Sequence, residues 1–352
     1  MAAPARFPID LISDTATRPT PAMRQAMAQA EVGDEQRGED PTVNRLQDMV
    51  AELLGKEAAV FLPSGTMCNE IAYRVHGRPG QEIILHETAH ALHYEAGGPA
   101  ALSGLMTRPL AGARGIFTAA QVEAALRPKG DRHAPQSAIV SIEQTSNQGG
   151  GAVWPLERVR EVAAMGRAHG LAVHMDGARL MNAVVASGVA ARDYAGPCDS
   201  VWIDLSKGLG CPVGAVLAGD AGFIEAAFRN KHLFGGAMRQ AGILAAAGVH
   251  ALEHHVERLA KDHAKARRLA QGLAQIKGIS IDPEGVETNL VFFDLEEDSG
   301  LSAPELSRRL EDGHGVRIGA MDDRQLRAVT HLDVPEDGVD KALAAVRAVL
   351  SA

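Results

Sequence analysis

Two residues able to form a reactive site follow apolar runs in the middle of the chain. Asp176 comes directly after the run 171–175, and Lys207 comes shortly after the run 200–205. Both runs are typical of buried strands, so each side chain is expected just beyond the carboxyl end of a strand. In open α/β sheets, ligands bind at that edge.

A lysine that is shielded from water can lose its proton and attack a carbonyl carbon. A buried aspartate facing a ring nitrogen would keep that nitrogen protonated. A lysine Schiff base and an aspartate partner for the pyridine nitrogen are the groups that proteins supply to pyridoxal 5'-phosphate. Taken singly, Asp176 is also explained as a helix cap and Lys207 as a surface charge. Their joint occurrence favours pyridoxal phosphate chemistry.

Composition limits the class of protein. The chain has 352 residues, of which 46% are hydrophobic and 22% charged, and this predicts a globular protein of about two domains. A net charge of −9 gives no attraction to nucleic acid or to an anionic membrane. Three widely spaced cysteines fit neither a disulfide framework nor a zinc site. With no signal-peptide or membrane-spanning pattern, we expect a cytoplasmic protein.

Apolar runs alternate with helical patterns, which predicts an α/β fold. An N-terminal segment at 1–20 precedes a large domain at 21–250, and a smaller α/β domain follows at 251–352. A long helix at about 238–276 is expected to connect the two. The predicted strands lie at 58–62, 82–85, 137–142, 171–175, 200–205, 213–218, 279–281, 290–295, 316–318 and 326–330.

A short polar turn joins a predicted strand to a helix at Gly65 and Thr66. The free backbone N–H groups and the dipole at a helix start favour an anion such as phosphate. A simple N-cap at this turn is the alternative. No glycine motif of a nucleotide-binding loop accompanies the turn.

Histidines cluster in two places, at 86, 90 and 93 and at 250, 254 and 255. A metal site at the first cluster is not expected, because no acidic or cysteine ligand completes it at a useful spacing. One of these rings is better suited to stack on a flat cofactor or to accept a proton. The second cluster is interpreted as a solvated helix face.

With these residues in place, the sequence resembles the threonine aldolase family (low-specificity L-threonine aldolase), a branch of the aspartate aminotransferase-like, fold-type I pyridoxal phosphate enzymes. The matching segments run through nearly the whole chain in order. They are SDTATRPT (13–20), GEDPTVNRL (38–46), PSGTM (63–67), AHALHYEAGG (89–98), VHMDGAR (173–179), LSKGL (205–209), GGAMRQAG (235–242) and VTHLDV (329–334).

The resemblance implies a seven-stranded, mostly parallel sheet with helices on both faces, plus a smaller C-terminal α/β domain. It implies cleavage of L-threonine, L-allo-threonine and related β-hydroxy-α-amino acids to glycine and an aldehyde, in a homotetramer with its active sites at dimer interfaces. A β-eliminating lyase, racemase or aminotransferase on the same fold is the alternative. A non-catalytic or nucleotide-binding α/β protein is a third interpretation.

The resemblance also implies roles for individual residues. Lys207 would hold the cofactor, Asp176 would pair with its ring nitrogen, and His90 would stack on the ring. The general base would be His90, His133 or a water held by both. The phosphate would be bound by Gly65 and Thr66, and Arg239 would reach the phosphate of the neighbouring subunit. The substrate carboxylate would be bound by Ser13, Arg179 and Arg327. Of these, Arg179 would also lie near the cofactor.

The sequence departs from the family pattern at several positions. Arg37 stands where many relatives have tyrosine, His93 replaces an aromatic residue, and His232 stands where a lysine commonly contacts phosphate. Residues 143–146 read EQTS instead of ENTH. Arg37 and His93 are interpreted as substrate-binding residues at the mouth of the site, which leads to the hypothesis of an altered aldehyde or threo/allo preference.

Overall fold

A computed structural model describes residues 7–351, which form two compact units. One unit comprises Pro19–Val256. The other combines the chain up to Arg18 with the chain from Glu257 onward. The described part of the N-terminal segment is thus grouped with the C-terminal part of the chain. Residues 1–6 of the predicted segment 1–20 lie outside the described residues.

The elements follow the chain in mixed α/β order. The helices are α1 Pro21–Ala28, α2 Pro41–Leu54, α3 Gly65–His76, α4 His90–His93, α5 Gly98–Ser103, α6 Ala119–Ala125, α7 Leu156–Ala168, α8 Leu180–Ser187, α9 Ala191–Ala195, α10 Ala221–Leu233, α11 Gly242–His254, α12 Leu259–Leu273, α13 Ala303–His314 and α14 Gly338–Leu350. The strands are β1 Ile9–Asp10, β2 Ala58–Leu62, β3 Glu82–His86, β4 Met106–Leu110, β5 Ser137–Glu143, β6 Ala172–Gly177, β7 Ser200–Asp204, β8 Ala215–Gly219, β9 Ile279–Ser280, β10 Leu290–Leu295, β11 Val316–Arg317, β12 Gly319–Ala320 and β13 Gln325–Val329.

The unit at 19–256 is built around a sheet that has seven strands within the described residues, in the order β2-β8-β7-β6-β5-β3-β4. Strand β8 is antiparallel to both neighbours, and the other pairs are parallel. Every residue of β7 and β8 is buried, as expected for strands covered on both faces. The expected seven-stranded, mostly parallel sheet is confirmed.

Adjacent strands position the two residues that opened the sequence analysis. Strands β6 and β7 run parallel, with Asp176 opposite Trp202. Their carboxyl ends therefore lie side by side, and the turns that follow them share one edge of the sheet. This edge is where an α/β sheet binds ligands.

The other unit contains the smaller sheet, in the order β12-β13-β10-β9, with antiparallel pairing throughout. Strands β1 and β11 form a separate parallel pair. Phe293, Leu306, Leu326 and Val346 belong to the hydrophobic core of this unit. Burial of these apolar side chains is its main stabilising contribution.

Two of the differences from the sequence-based expectation have a clear physical reason. The edge strand β4 was not predicted, because its sequence, MTRPL, contains a proline and an arginine and is only partly buried. The helix expected at 238–276 is wrong as a continuous element, since a turn at 255–258 separates α11 from α12. At this turn His255 is buried and its Nδ1–H donates to the carbonyl of Leu209 at 2.7 Å, so the ring does not belong to a solvated face.

Candidate functional site

The carboxyl ends of β6 and β7 and the amino end of α3 border a cavity of about 210 Å³. Six residues predicted from the sequence line it, namely Gly65, Thr66, His90, Asp176, Arg179 and Lys207. Residues from positions 65 to 207 thus meet at one sheet edge. The cavity is the starting point for assigning chemistry to the chain.

Lys207 lies in the turn after β7, and its ammonium faces a carboxylate. Its Nζ is 3.1 Å from Asp204 Oδ2 and 5.8 Å from the centre of the Trp202 ring. The Lys207 side chain is 16% exposed and that of Asp204 is 6% exposed. Asp204 Oδ1 also accepts the backbone N–H and the hydroxyl of Ser206. The turn therefore holds the amine at the cavity, shielded but accessible.

Asp176 is buried at the end of β6, and both of its oxygens accept hydrogen bonds. Oδ1 accepts from the backbone N–H of Ala178 at 3.0 Å, and Oδ2 accepts from Asn69 Nδ2 at 2.9 Å. Asn69 also donates to Glu95 Oε1 at 2.7 Å. One buried amide thus fixes two carboxylates, and Asp176 presents a negative charge to the cavity in a defined orientation.

A buried ring, His174, supports Asn69 from behind and is linked through Ser200 to the half-buried ring of His76. His174 Nε2 lies 3.0 Å from Asn69 Oδ1, and its Nδ1 lies 2.8 Å from Ser200 Oγ, which in turn lies 2.8 Å from His76 Nε2. Because the amide oxygen only accepts, His174 donates from Nε2 and its Nδ1 accepts the serine hydroxyl. Burial lowers the pKa of His174 well below its usual range and that of His76 to about 4, which keeps both rings neutral.

His90 begins α4 and is held at two atoms. Its Nδ1 donates to Glu95 Oε1 at 2.8 Å, and its backbone N–H donates to Glu143 Oε2 at 2.9 Å. Burial opposes the charged ring, but the hydrogen bond to Glu95 and the charge of Asp176 outweigh it, so the pKa of His90 is raised. In the neutral ring, Nε2 is left as the proton acceptor.

Glu143 connects β5 to this arrangement through its two oxygens. Oε1 accepts from the backbone N–H of Asn147 at 2.8 Å, while Oε2 accepts from the backbone N–H of His90. Burial raises the pKa of the Glu143 carboxyl to about 7, with a further contribution from the charge of Asp176. Its ionisation is therefore coupled to the groups in the cavity.

The amino end of α3 and the side chain of Arg179 provide positive potential. Ser64 caps α3 through a hydrogen bond from Met67 N–H. A Cβ atom at Gly65 would lie 2.3 Å from the Trp202 ring, so glycine is required for this close approach. Arg179 is buried, with Nη1 3.5 Å from Asn147 Oδ1. The arrangement suits a bound anion.

Six predicted site residues are not among the described residues that line this cavity, and four of them belong to the unit at 19–256. Arg37 and Arg239 are exposed, and both approach Asp34 Oδ2, at 3.8 Å and 2.8 Å. His93 is exposed and donates to the carbonyl of Glu87. His133 lies in an exposed loop before β5, where its backbone N–H donates to the Asp131 side chain.

Ser13 and Arg327 belong to the other unit. Ser13 caps a 3₁₀ turn by accepting a hydrogen bond from Thr15 N–H. Arg327 lies on β13, and its Nη2 is 3.4 Å from the carbonyl oxygen of Ile12. The structure therefore brings the guanidinium of Arg327 next to the backbone that carries Ser13.

Sequence reasoning missed six residues that line the cavity: Glu95, Glu143, Asn147, Trp202, Asp204 and Ser206. Asp204 could have been found, because it precedes Lys207 by three residues at the end of a predicted strand. Glu95 follows His90 by five residues, a spacing that carries no signal of contact outside a regular helix.

The donor set in the cavity fits pyridoxal 5'-phosphate. An amine at Lys207 can meet an aldehyde, a buried carboxylate at Asp176 can pair with a pyridinium, and the start of α3 can take a phosphate. The lack of room for a Cβ at Gly65 places the backbone of α3 directly at the cavity wall. His90 provides an aromatic ring on the same cavity.

Between residues 7 and 351, no group of three or more histidine, cysteine or acidic side chains could hold a metal ion. Over the same range, every helix is too short or too polar to cross a bilayer.

The sequence matches known proteins over almost its full length. The family model described as beta-eliminating lyase matches residues 10–297. The low specificity L-threonine aldolase of Escherichia coli K12 is 42% identical over 344 residues, covering 97% of this chain and 99% of that protein. Low-specificity L-threonine aldolase 1 of Arabidopsis thaliana is 41% identical over 338 residues, covering 95% and 94%.

Solved structures show the same fold. A threonine aldolase of Leishmania major superposes with a TM-score of 0.81 at 21% identity, covering 97% of this chain and 99% of that chain. The aspartate aminotransferase of Rhizobium meliloti gives a TM-score of 0.69 at 14% identity, covering 97% and 91%. The expected aspartate aminotransferase-like fold is confirmed, and the chain belongs to the threonine aldolase branch of the beta-eliminating lyase family of pyridoxal phosphate-dependent enzymes.

Proposed function

We propose that this enzyme cleaves L-threonine, L-allo-threonine and related β-hydroxy-α-amino acids to glycine and an aldehyde. The observation that carries the proposal is the single cavity that joins the Lys207 amine, the Asp176 carboxylate and the start of α3. The 42% identity to a low specificity L-threonine aldolase selects this reaction among those of the fold. The reaction therefore belongs to amino-acid metabolism.

The cavity residues divide into cofactor and substrate groups. Lys207 would hold the cofactor aldehyde, Asp176 its ring nitrogen, and Gly65 and Thr66 its phosphate. The ring of His90 would cover one face and exclude water. When bound, pyridoxal phosphate supplies an electron sink for the electrons of the broken Cα–Cβ bond.

Arg179 is suited to orient the substrate, because a guanidinium meets both oxygens of a carboxylate. Ser13 and Arg327 are further candidates for this contact. Orientation of the carboxylate would decide which bond at Cα is broken. Loss of Cα–H instead of Cα–Cβ would give the alternative β-elimination, racemisation or transamination.

His90 is the candidate base for the β-hydroxyl proton. Glu95 accepts a hydrogen bond from His90 Nδ1–H. The other ring nitrogen, Nε2, is therefore the atom that can take the substrate proton as the aldehyde leaves. General base catalysis of this kind is worth about 10²–10⁴-fold in rate. His133 or a bound water are the other candidates, and His133 would have to reach the site from its exposed loop.

We propose further that the enzyme is a cytoplasmic homotetramer, a dimer of dimers with active sites at the dimer interface. The support is the pair of exposed arginines, Arg37 and Arg239, that share Asp34 outside the cavity of their own chain. In a dimer these guanidinium groups would reach the partner's site, with Arg239 at its phosphate. Arg37 and His93 would then line the entrance for the aldehyde.

One experiment tests the reaction class. The purified enzyme is supplied with pyridoxal phosphate, its visible absorbance is recorded, and L-threonine, L-allo-threonine and L-phenylserine are added separately. We expect an absorbance band, and glycine and aldehyde in equal amounts. A band with keto acid and ammonia, or with the opposite enantiomer, would favour the alternatives. Absence of any band would contradict the proposal as a whole.

A further inference from the structure

A second buried carboxyl lies behind the acid that holds His90. Glu70 on α3 is 2% exposed and Glu95 is 4% exposed. Within the described residues, neither oxygen of Glu70 accepts a hydrogen bond, and neither does Glu95 Oε2. A Cβ atom at Gly98, the first residue of α5, would lie 2.1 Å from Glu70 Oε1. The Glu70 carboxyl thus fills a space that only a glycine leaves open.

The two carboxyls differ in their partners. Glu95 Oε1 accepts from His90 Nδ1 and from Asn69 Nδ2, whereas Glu70 has no donor. Two acids in contact inside a protein do not both ionise. The proton of the pair therefore belongs on Glu70, which can then donate to the unpaired Oε2 of Glu95. Such a bond would satisfy an oxygen of both residues.

Electrostatics agree with this geometry. Burial raises the pKa of Glu70 to about 8. The charge of Glu95 raises it further, as does the bond that a protonated Glu70 would donate to Glu95. Burial also raises the pKa of Glu95, but its hydrogen bonds to His90 and Asn69 oppose the shift. With a pKa of about 8, Glu70 holds its proton at neutral pH, and the two donors on Glu95 Oε1 favour the charge on Glu95.

We propose that Glu70 is a positioning residue of the aldolase site, which holds a proton and donates it to Glu95 so that Glu95 stays ionised and holds His90. This inference rests on the proposed function for its catalytic meaning. The titratable groups that face the acid pair or act on its histidine are Cys68 and Tyr73 on α3, His90 on α4, Glu143 on β5, Asp176 on β6 and Lys207 after β7.

The first test detects the proton directly. Infrared spectra of the holoenzyme at pH 7 would be compared for the wild type and Glu70→Gln. In the difference spectrum of wild type minus E70Q, we expect the carbonyl stretch of one protonated buried carboxyl. The contribution of Glu143, whose pKa is raised by burial to about 7, is common to both proteins and cancels. Glu82→Gln is the matched control, since Glu82 is equally buried but bonded to Arg127 at 3.0 Å, and the stretch should remain. An unchanged stretch in E70Q would overturn the proposal.

The second test separates proton donation from packing. Glu70→Leu fills the space without a donor, and Glu70→Gln keeps a donor that cannot ionise. We expect E70L to lower kcat by about 10- to 100-fold with little change in KM, because one hydrogen bond to a charged group is lost. E70Q should keep kcat within about threefold. The wild type should lose activity as the pH rises through about 8, where Glu70 gives up its proton, and E70Q should not show this loss.

Equal kcat in E70L and the wild type, or an unchanged alkaline limb in E70Q, would overturn the positioning role. If E70L does not fold, the infrared comparison and the E70Q pH profile still decide. Nuclear magnetic resonance titration of labelled histidine, assigned with His90→Asn, gives a readout without turnover. E70L should lower the pKa of His90 and E70Q should not. If the wild type releases no glycine, the proposed function is refuted. The infrared comparison and the histidine titration would still test whether Glu70 holds a proton and acts on His90.

Discussion

The unit at 19–256 contains two shielded lysine–carboxylate pairs that differ in what surrounds them. Lys207 Nζ lies 3.1 Å from Asp204 and Lys231 Nζ lies 2.9 Å from Glu35. The side chains of the second pair are 0% and 1% exposed, against 16% and 6% for the first. Only Lys207 lines the cavity at the sheet edge.

The fully buried pair, Lys231 and Glu35, is called the closed pair, and it connects two segments of the chain. Glu35 Oε1 accepts from the backbone N–H of Met238, and the Glu35 backbone N–H donates to the carbonyl of Arg239. Lys231 on α10 neutralises this carboxylate and lies 5.6 Å from the Phe228 ring. Burial alone therefore does not mark a reactive lysine. A reactive lysine also needs a space in which a carbonyl can approach it.

The largest effect is expected at Lys207 and Asp204, the open pair that borders the cavity. Lys207→Ala should abolish the visible absorbance of the cofactor complex and lower kcat by at least about 10²–10⁴-fold, because no other amine among residues 7–351 lines the cavity. Lys207→Arg is the control, since it retains the positive charge beside Asp204 but cannot lose a proton. Activity in the arginine variant would mean that the charge of Lys207 matters and its nucleophilicity does not.

At the closed pair the effect should be on stability. Lys231→Met leaves the Glu35 carboxylate buried without its partner, and we expect a loss of about 3–5 kcal/mol in the free energy of unfolding in urea. Adding Glu35→Gln should recover part of this loss, because the uncompensated charge is removed. The absorbance of bound cofactor should persist in the folded variants. Its disappearance would place Lys231 in the reactive site and end the distinction.

The rings behind the open cavity predict a dependence of stability on acid. The pKa of His76 is about 4 in the folded chain against 6.5 for an ordinary histidine. Its contribution is complete above pH 6.5 and is lost as the pH falls from 6.5 towards 4, by up to about 3 kcal/mol. Unfolding curves across this range measure the loss.

A matched variant isolates the contribution of this ring. His76→Gln cannot take up a proton, so its stability should fall less steeply between pH 6.5 and pH 4 than that of the wild type. Equal slopes in the two proteins would show that His76 is not the responsible group.

The smallest effect is expected at the exposed arginine beside the closed pair. Arg37 is 73% exposed at its side chain, so Arg37→Tyr should change stability by less than about 1 kcal/mol. We expect instead a change of a few-fold in the ratio of rates for L-threonine and L-allo-threonine. Identical kinetics across several aldehydes would remove the hypothesis that this position sets the preference.

Local sequence determined the elements and the ends of the strands. Strands β2 and β10 were predicted with the bounds that the structure gives, because continuous apolar runs ended by polar turns specify buried strands. Asp176, Lys207 and the start of α3 were found in the same way, since each follows an apolar run. The break after α11 and the edge strand β4 were missed, because one depends on a contact with Leu209 and the other lacks an apolar run.

Only the tertiary structure decided which polar groups meet. Asn69 reaches Asp176, Glu95 and His174, residues that the chain places far apart and that the sheet order brings together. The same holds for Glu70, whose polar character on a buried helix had no explanation in sequence. Spacing along a chain predicts contacts within one helix or strand, whereas hydrogen bonds between elements depend on how those elements pack. The reactive pair was therefore predictable, and the network that sets its proton positions was not.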